Sequence, residues 1–86
     1  MTTTSAVWAK VRAIVARVFG VDGGVVQPES ELRSFESFSS IRLVELVEDL
    51  EAEFGVEFST EDLAPERLRK VSDLADCVTR RLDSDA

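Results

Sequence analysis

One apolar stripe at helical spacing constrains this chain more than any other feature. Leu43, Leu46, Val47, Leu50 and Phe54 recur every three or four residues and mark the buried face of an amphipathic helix. The helix spans about Ser40 to Phe54, and Gly55 ends it. Ile41, Val44, Glu45 and Glu48 recur at the same spacing on a second face, a mixed apolar and acidic strip that points outward. Ser39 and Ser40 stand where this helix must begin.

A second stripe precedes it. Val7, Val11, Ile14, Val15, Val18 and Phe19 predict a helix from about Ser5 to Phe19, with Thr4 or Ser5 as cap and Gly20 as stop. Lys10, Arg12 and Arg17 face water, and Trp8 reads as a half-buried packing residue. From Val21 to Phe38 runs a long connection with turn signals at Asp22-Gly23-Gly24 and Gln27-Pro28. Val21, Val25, Val26, Leu32, Phe35 and Phe38 punctuate it, which predicts a loop pinned across the core by several anchors.

After Gly55, Val56 and Phe58 alternate with Glu57, but no second strand exists for them to pair with, so they form an extended connector turned inward. Ser59-Thr60-Glu61-Asp62-Leu63 carries the cap-then-acid pattern of a short helix, which Pro65 limits to one or two turns. Ser72 is the expected cap of a last helix through Leu82, with Leu74, Ala75, Val78 and Leu82 inward and Cys77 packed beside them. Asp83-Ser84-Asp85-Ala86 reads as a frayed tail. The expected fold is all-α: a small four-helix bundle of three main helices and a short third helix, with a long loop between helices one and two. Residues 1–86 make one domain.

Composition removes several functions. A formal charge of −7 argues against nucleic-acid binding, which needs clustered Lys and Arg, and favours basic partners. With no His and a single Cys, neither a zinc site nor a Ser-His or Cys-His catalytic arrangement can be assembled. The start, Met1-Thr2-Thr3-Thr4-Ser5, is not a signal peptide, and no apolar run reaches membrane-spanning length. These features predict a soluble, cytoplasmic protein without metal, nucleic-acid or membrane partners.

A serine at a helix start has two readings. It is a good N-cap, because its oxygen accepts from a free backbone N–H. It is also a place where a covalent phosphate-linked group is favoured by those N–H groups and by the positive end of the helix dipole.

The pattern Ser40-Ile41-x-x-Val44-Glu45-Leu46-Val47-x-x-Leu50-Glu51-x-Glu53-Phe54 resembles the acyl carrier protein family. The family's Asp-Ser-Leu motif falls on Ser39-Ser40-Ile41. Leu32, Phe38, the sequence Phe19-Gly20-Val21 and the later Val71-Ser72-Asp73-Leu74-Ala75 are also similar in order and spacing, so the likeness runs from about Val7 to Leu82. Two positions depart from it. The family's aspartate is Ser39 here, and its usual glycine is Ser37. Glu36-Ser37-Phe38 is a near-copy of the motif, but attachment at Ser37 would displace Leu46, Leu50 and Phe54 by three positions. Ser40 is therefore the first choice and Ser37 the runner-up.

The resemblance implies a carrier rather than an enzyme. It implies 4′-phosphopantetheine linked covalently to Ser40, with an acyl or aminoacyl group held as a thioester on the arm. Implied partners are a phosphopantetheinyl transferase, a loading enzyme and an acyltransferase or synthase acceptor. The docking strip would be Ile41, Arg42, Val44, Glu45 and Glu48, and the protein a monomer. The chain lacks the Gly-Gly-His-Ser signature of peptidyl carrier modules, and Glu61-Asp62-Leu63-Ala64-Pro65-Glu66-Arg67-Leu68 is similar to stand-alone carriers of polyketide or related natural-product pathways. The chain begins and ends just outside the expected fold, which predicts a free-standing carrier. The alternative is an adaptor of the same fold that lacks the arm, kept open by Ser39.

Overall fold

The valines of the first stripe decide the architecture. Valine is a weak helix former, at a cost of roughly 0.6 kcal/mol per residue against alanine, whereas burying its side chain returns about 1.5 kcal/mol or more. Burial wins, provided that another surface covers the stripe. In the computed structural model, which describes residues 3–64 and 66–85, that surface is two further helices. Helix α1 spans Thr3–Phe19, α2 spans Ser40–Phe54 and α3 spans Val71–Asp85. Val7, Val11, Ile14, Val15, Val18 and Phe19 of α1 are buried against Leu46 and Leu50 of α2 and Leu74 and Val78 of α3. The main packing seams are α1 on α3 and α1 on α2. Trp8 is half-buried against this core, as expected.

Several boundaries differ from expectation. Helix α1 begins two residues earlier than predicted, and Thr4 and Ser5, the expected caps, fall inside it with side chains outside the described residues. Leu43 and Phe54 are half-buried rather than buried, because they lie at the edges of the stripe. Helix α3 continues through Asp85, since no glycine or proline interrupts it, so the expected frayed tail is helical up to that residue; Ala86 lies outside the described residues. Ser72 does not cap α3 but sits in its first turn. The carboxylate of Asp73 does the capping, accepting from Arg69 N and Lys70 N at 2.9 Å each.

The short third helix is a single 3₁₀ turn, Glu61–Leu63. Pro65, the expected limit of this turn, lies outside the described residues. The cap-then-acid pattern is reciprocal: Ser59 Oγ accepts from Asp62 N at 3.2 Å, and Asp62 Oδ2 accepts from Ser59 N at 2.9 Å. Before the turn, Val56 is buried and Phe58 half-buried, as the extended connector required. The Phe58 amide donates to Glu51 Oε2 at 2.9 Å, which fixes that connector to α2.

The long connection is a structural member. Helix α1 closes at Gly20, whose φ of +69° favours glycine, and Val21 N donates back to Ala16 O at 3.0 Å. Two 3₁₀ turns follow, Gly23–Val25 and Leu32–Ser34. Arg12 Nε donates to Gly23 O at 2.8 Å and ties the first turn back to α1. Val26 and Leu32 are the buried anchors, Phe35 and Phe38 are half-buried, and Val25 is exposed. The loop then meets the start of α3. Val71 N donates to Ser30 O and Ser72 N to Pro28 O, while Leu32 N donates to Arg69 O, each at 2.9 Å. Amides that helix α3 leaves free are thereby satisfied by loop carbonyls. Among the described residues the only β pairing is the isolated antiparallel bridge between Glu31 and Lys70.

One charged group is buried among the described residues. Asp62 is 8% exposed and accepts from Arg81 Nε and Nη2 as well as from Ser59 N. The Ser59 amide first, and the Arg81 guanidinium second, hold the Asp62 carboxyl at about 2, below its ordinary 3.8, against the opposing effect of burial. A depressed acid binds protons more weakly in the folded state. Its contribution is therefore present above about pH 4 and is lost as pH falls from there toward 2. Asp62→Asn is expected to lower stability by about 2 kcal/mol at pH 7 and to flatten the pH dependence below pH 4. Urea titrations of both proteins between pH 7 and 2 measure this, and parallel acid curves would rule the explanation out.

Candidate functional site

Three serines lie within four residues at the start of α2, and each stands in a different environment. Ser39 is the N-cap. Its backbone is extended (φ −160°, ψ 166°) and its Oγ accepts from Arg42 N at 3.1 Å. Ser37 is half-buried, and its hydroxyl donates to Phe19 O at 2.8 Å. Ser40 is the first residue of the helix and exposed, and no hydrogen bond within the described residues engages its hydroxyl. The cap reading thus falls on Ser39 and not on Ser40. Ser39 meets the capping need and leaves Ser40 Oγ free at the positive end of the helix dipole.

The preceding loop presents this junction. Phe19 stacks on Phe35 with ring centroids 5.0 Å apart and planes 9° apart, and meets Phe38 at 6.3 Å and 36°. These rings fill the space under residues 35–38, so the chain enters α2 from a fixed direction.

The strip beside Ser40 faces outward. Ile41 is 72% and Val44 55% exposed, and with Val25 they are the exposed large apolar residues among those described. Glu45 and Glu48 are exposed on the same face. Arg42 is exposed too but tied at its tip: Nη1 donates to Val18 O at 3.2 Å and lies 3.5 Å from Glu45 Oε1. Next to the strip, Leu43, Val44, Val47 and Leu63 line a shallow apolar groove between α2 and the Glu61–Leu63 turn. Glu53 pairs with Lys10 at 3.1 Å and Asp49 with Arg17 at 3.2 Å. Both pairs are exposed and contribute about 0–1 kcal/mol each across the α1–α2 seam.

The sequence left the ties of Ser37 and Arg42 to α1 unseen. Both acceptors are backbone carbonyls, which no residue pattern marks. Cys77 is buried, as expected of a packing residue, and burial raises its thiol pKa, with the charge of Asp62 adding to this. It is thereby kept a neutral, inert thiol. Among the described residues no group of acidic, His and Cys side chains is placed to hold a metal, and no helix is long and apolar enough to cross a membrane.

Comparison with known proteins places these features in a family. The model of the phosphopantetheine attachment site matches residues 9–78. The chain is 33% identical over 82 residues to an acyl carrier protein of Thermotoga maritima, covering 95% of this chain and 99% of that one. It is 40% identical over 67 residues to acyl carrier protein 2 of Pseudomonas aeruginosa, covering 78% and 82%. Among solved structures it is similar to a holo acyl carrier protein of Geobacter metallireducens, with a TM-score of 0.77 at 27% identity over 99% of this chain and 91% of that one. It is also similar to the Thermotoga maritima acyl carrier protein in its crystal structure, with a TM-score of 0.78 at 29% identity over 96% and 94%.

The division of tasks has a measurable consequence. Ser39→Ala is expected to cost about 1 kcal/mol, whereas Ser39→Asp retains the cap and Ser40→Ala changes stability by less than about 0.5 kcal/mol. Urea unfolding of the three variants provides the comparison. An equal loss in Ser39→Ala and Ser40→Ala would show that the capping role is shared.

Proposed function

This chain belongs to the acyl carrier protein family, and we propose that its phosphopantetheine arm is attached through the hydroxyl of Ser40. Like the rest of the family it is a carrier and not a catalyst. The observation that supports Ser40 is its free, exposed hydroxyl between two committed neighbours, the cap Ser39 and the half-buried Ser37.

These residues suit the group. Attachment forms one bond from Ser40 Oγ to the pantetheine-side phosphorus of coenzyme A, with release of the adenosine bisphosphate half. The hydroxyl proton passes to a base on the transferase. A phosphodiester there is favoured by the dipole of α2, by roughly 0.3–1 kcal/mol. When bound, the arm supplies a terminal thiol that holds an acyl or aminoacyl group as a thioester. The protein's own contribution is recognition. Ile41 and Val44 offer apolar contact, Glu45 and Glu48 steer basic partners, and Arg42 interrupts the acidic run at its edge. The partners that fit are a phosphopantetheinyl transferase, a loading enzyme and an acyltransferase or synthase acceptor.

We assign residues 1–86 to one monomeric carrier unit working in the cytoplasm. The similarity of Glu61–Leu68 to stand-alone carriers supports a polyketide or related natural-product pathway over bulk fatty-acid synthesis. A second reading, an adaptor without the arm, is favoured by one observation: Ser39, which caps α2 and stands where the family has an aspartate, brings no carboxylate to engage the transferase.

Intact-protein mass spectrometry after incubation with coenzyme A and a broad-specificity transferase separates the readings. The wild type and Ser37→Ala are expected to gain one arm and Ser40→Ala none. A wild type that gains nothing with any transferase supports the adaptor instead.

A further inference from the structure

The residues on either side of Ser40 reach back to the same place. Ser37 Oγ donates to Phe19 O at 2.8 Å, and Arg42 Nη1 donates to Val18 O at 3.2 Å. Val18 and Phe19 are the last two residues of α1, whose terminal carbonyls have no partner within the helix. The Phe19 ring also stacks on Phe35, on the loop leading to Ser37. Residues 35–42, with Ser40 among them, thus form a strap fastened to the last turn of α1 by a ring stack and two side-chain donors. The donors lie three residues before and two residues after Ser40.

We propose that Ser37 and Arg42 are positioning residues for modification: their bonds to α1 hold the loop–helix junction in the one arrangement that presents Ser40 to a transferase. This rests on the assignment of the arm to Ser40. Neither residue touches the reacting atoms. Ser37 is half-buried with its hydroxyl turned to α1, and Arg42 spends a donor on a main-chain oxygen. A flexible entry to α2 would offer Ser40 in many orientations, and a transferase that binds only one would meet that fraction of the population. The loss then appears in KM, which rises as the competent fraction falls, while kcat is unchanged.

Two measurements on the full chain test this. In native-state hydrogen exchange the Leu43 amide, which donates to Ser39 O at 3.0 Å, reports opening of the first turn of α2. Its protection is expected to fall about fivefold in Ser37→Ala and again in Ser37→Ala/Arg42→Met, the size set by one ordinary hydrogen bond each. In transferase kinetics with coenzyme A, Ser37→Ala is expected to raise KM severalfold at constant kcat, and Ser37→Thr, which keeps the donor, to restore it. Ser37→Ala is the decisive variant because Ser37 lies off the outward strip, so its KM is not confused with loss of a partner contact. Unchanged KM in Ser37→Ala overturns the positioning role while leaving the Ser40 assignment intact, and a fall in kcat alone also overturns it. If wild type is not modified, or Ser40→Ala still is, the Ser40 assignment fails and the proposal with it.

Discussion

Burial of the valine face of α1 is the constraint on which the rest of the structure depends. That face is a poor helix by propensity and a good one by packing, so α1 persists only while α2 and α3 cover it. The other two helices are less self-sufficient than their stripes imply. Both place their most buried residues, Leu46, Leu50, Leu74 and Val78, against the same valines. A carrier needs a rigid platform under an exposed attachment point. Here the platform is one helix wedged between two others, with surface ion pairs adding little to it.

The connection between α1 and α2 turns that platform into a presenting device. Its anchors are few but placed at both ends of the problem. Val26 and Leu32 hold its middle in the core, and the Phe19, Phe35 and Phe38 rings hold its exit. Because the exit is held, the first turn of α2 starts at a defined residue. That definition separates the cap from the free hydroxyl. One residue of slippage would exchange the roles of Ser39 and Ser40.

Periodicity made the three helices legible, and with them the outward strip beside Ser40. What stayed hidden has a common physical cause. The pairing of Asp62 with Arg81 joins residues far apart in sequence through geometry that no local pattern encodes. Ser37 and Arg42 bond to carbonyls, which every residue has and which therefore leave no trace in composition. Ser72 has the residue type of a cap, but α3 starts one residue before it, and its first amides, Val71 N and Ser72 N, donate to carbonyls of a loop distant in sequence, which no local pattern shows. Among Ser37, Ser39 and Ser40, the likeness to known carriers could rank the candidates, but only hydrogen-bond partners divide the labour among them.

The seam where loop residues 28–32 meet the start of α3 sets an order of assembly. Its bonds join segments separated by nearly half the chain, so closing it costs more loop entropy than forming any helix. Until residues 69–72 have been synthesised and docked, Leu32 lacks its backbone partner, and the valine face of α1 lacks one of its two covers. A nascent or truncated chain can therefore display the same serines without the entry angle that distinguishes them.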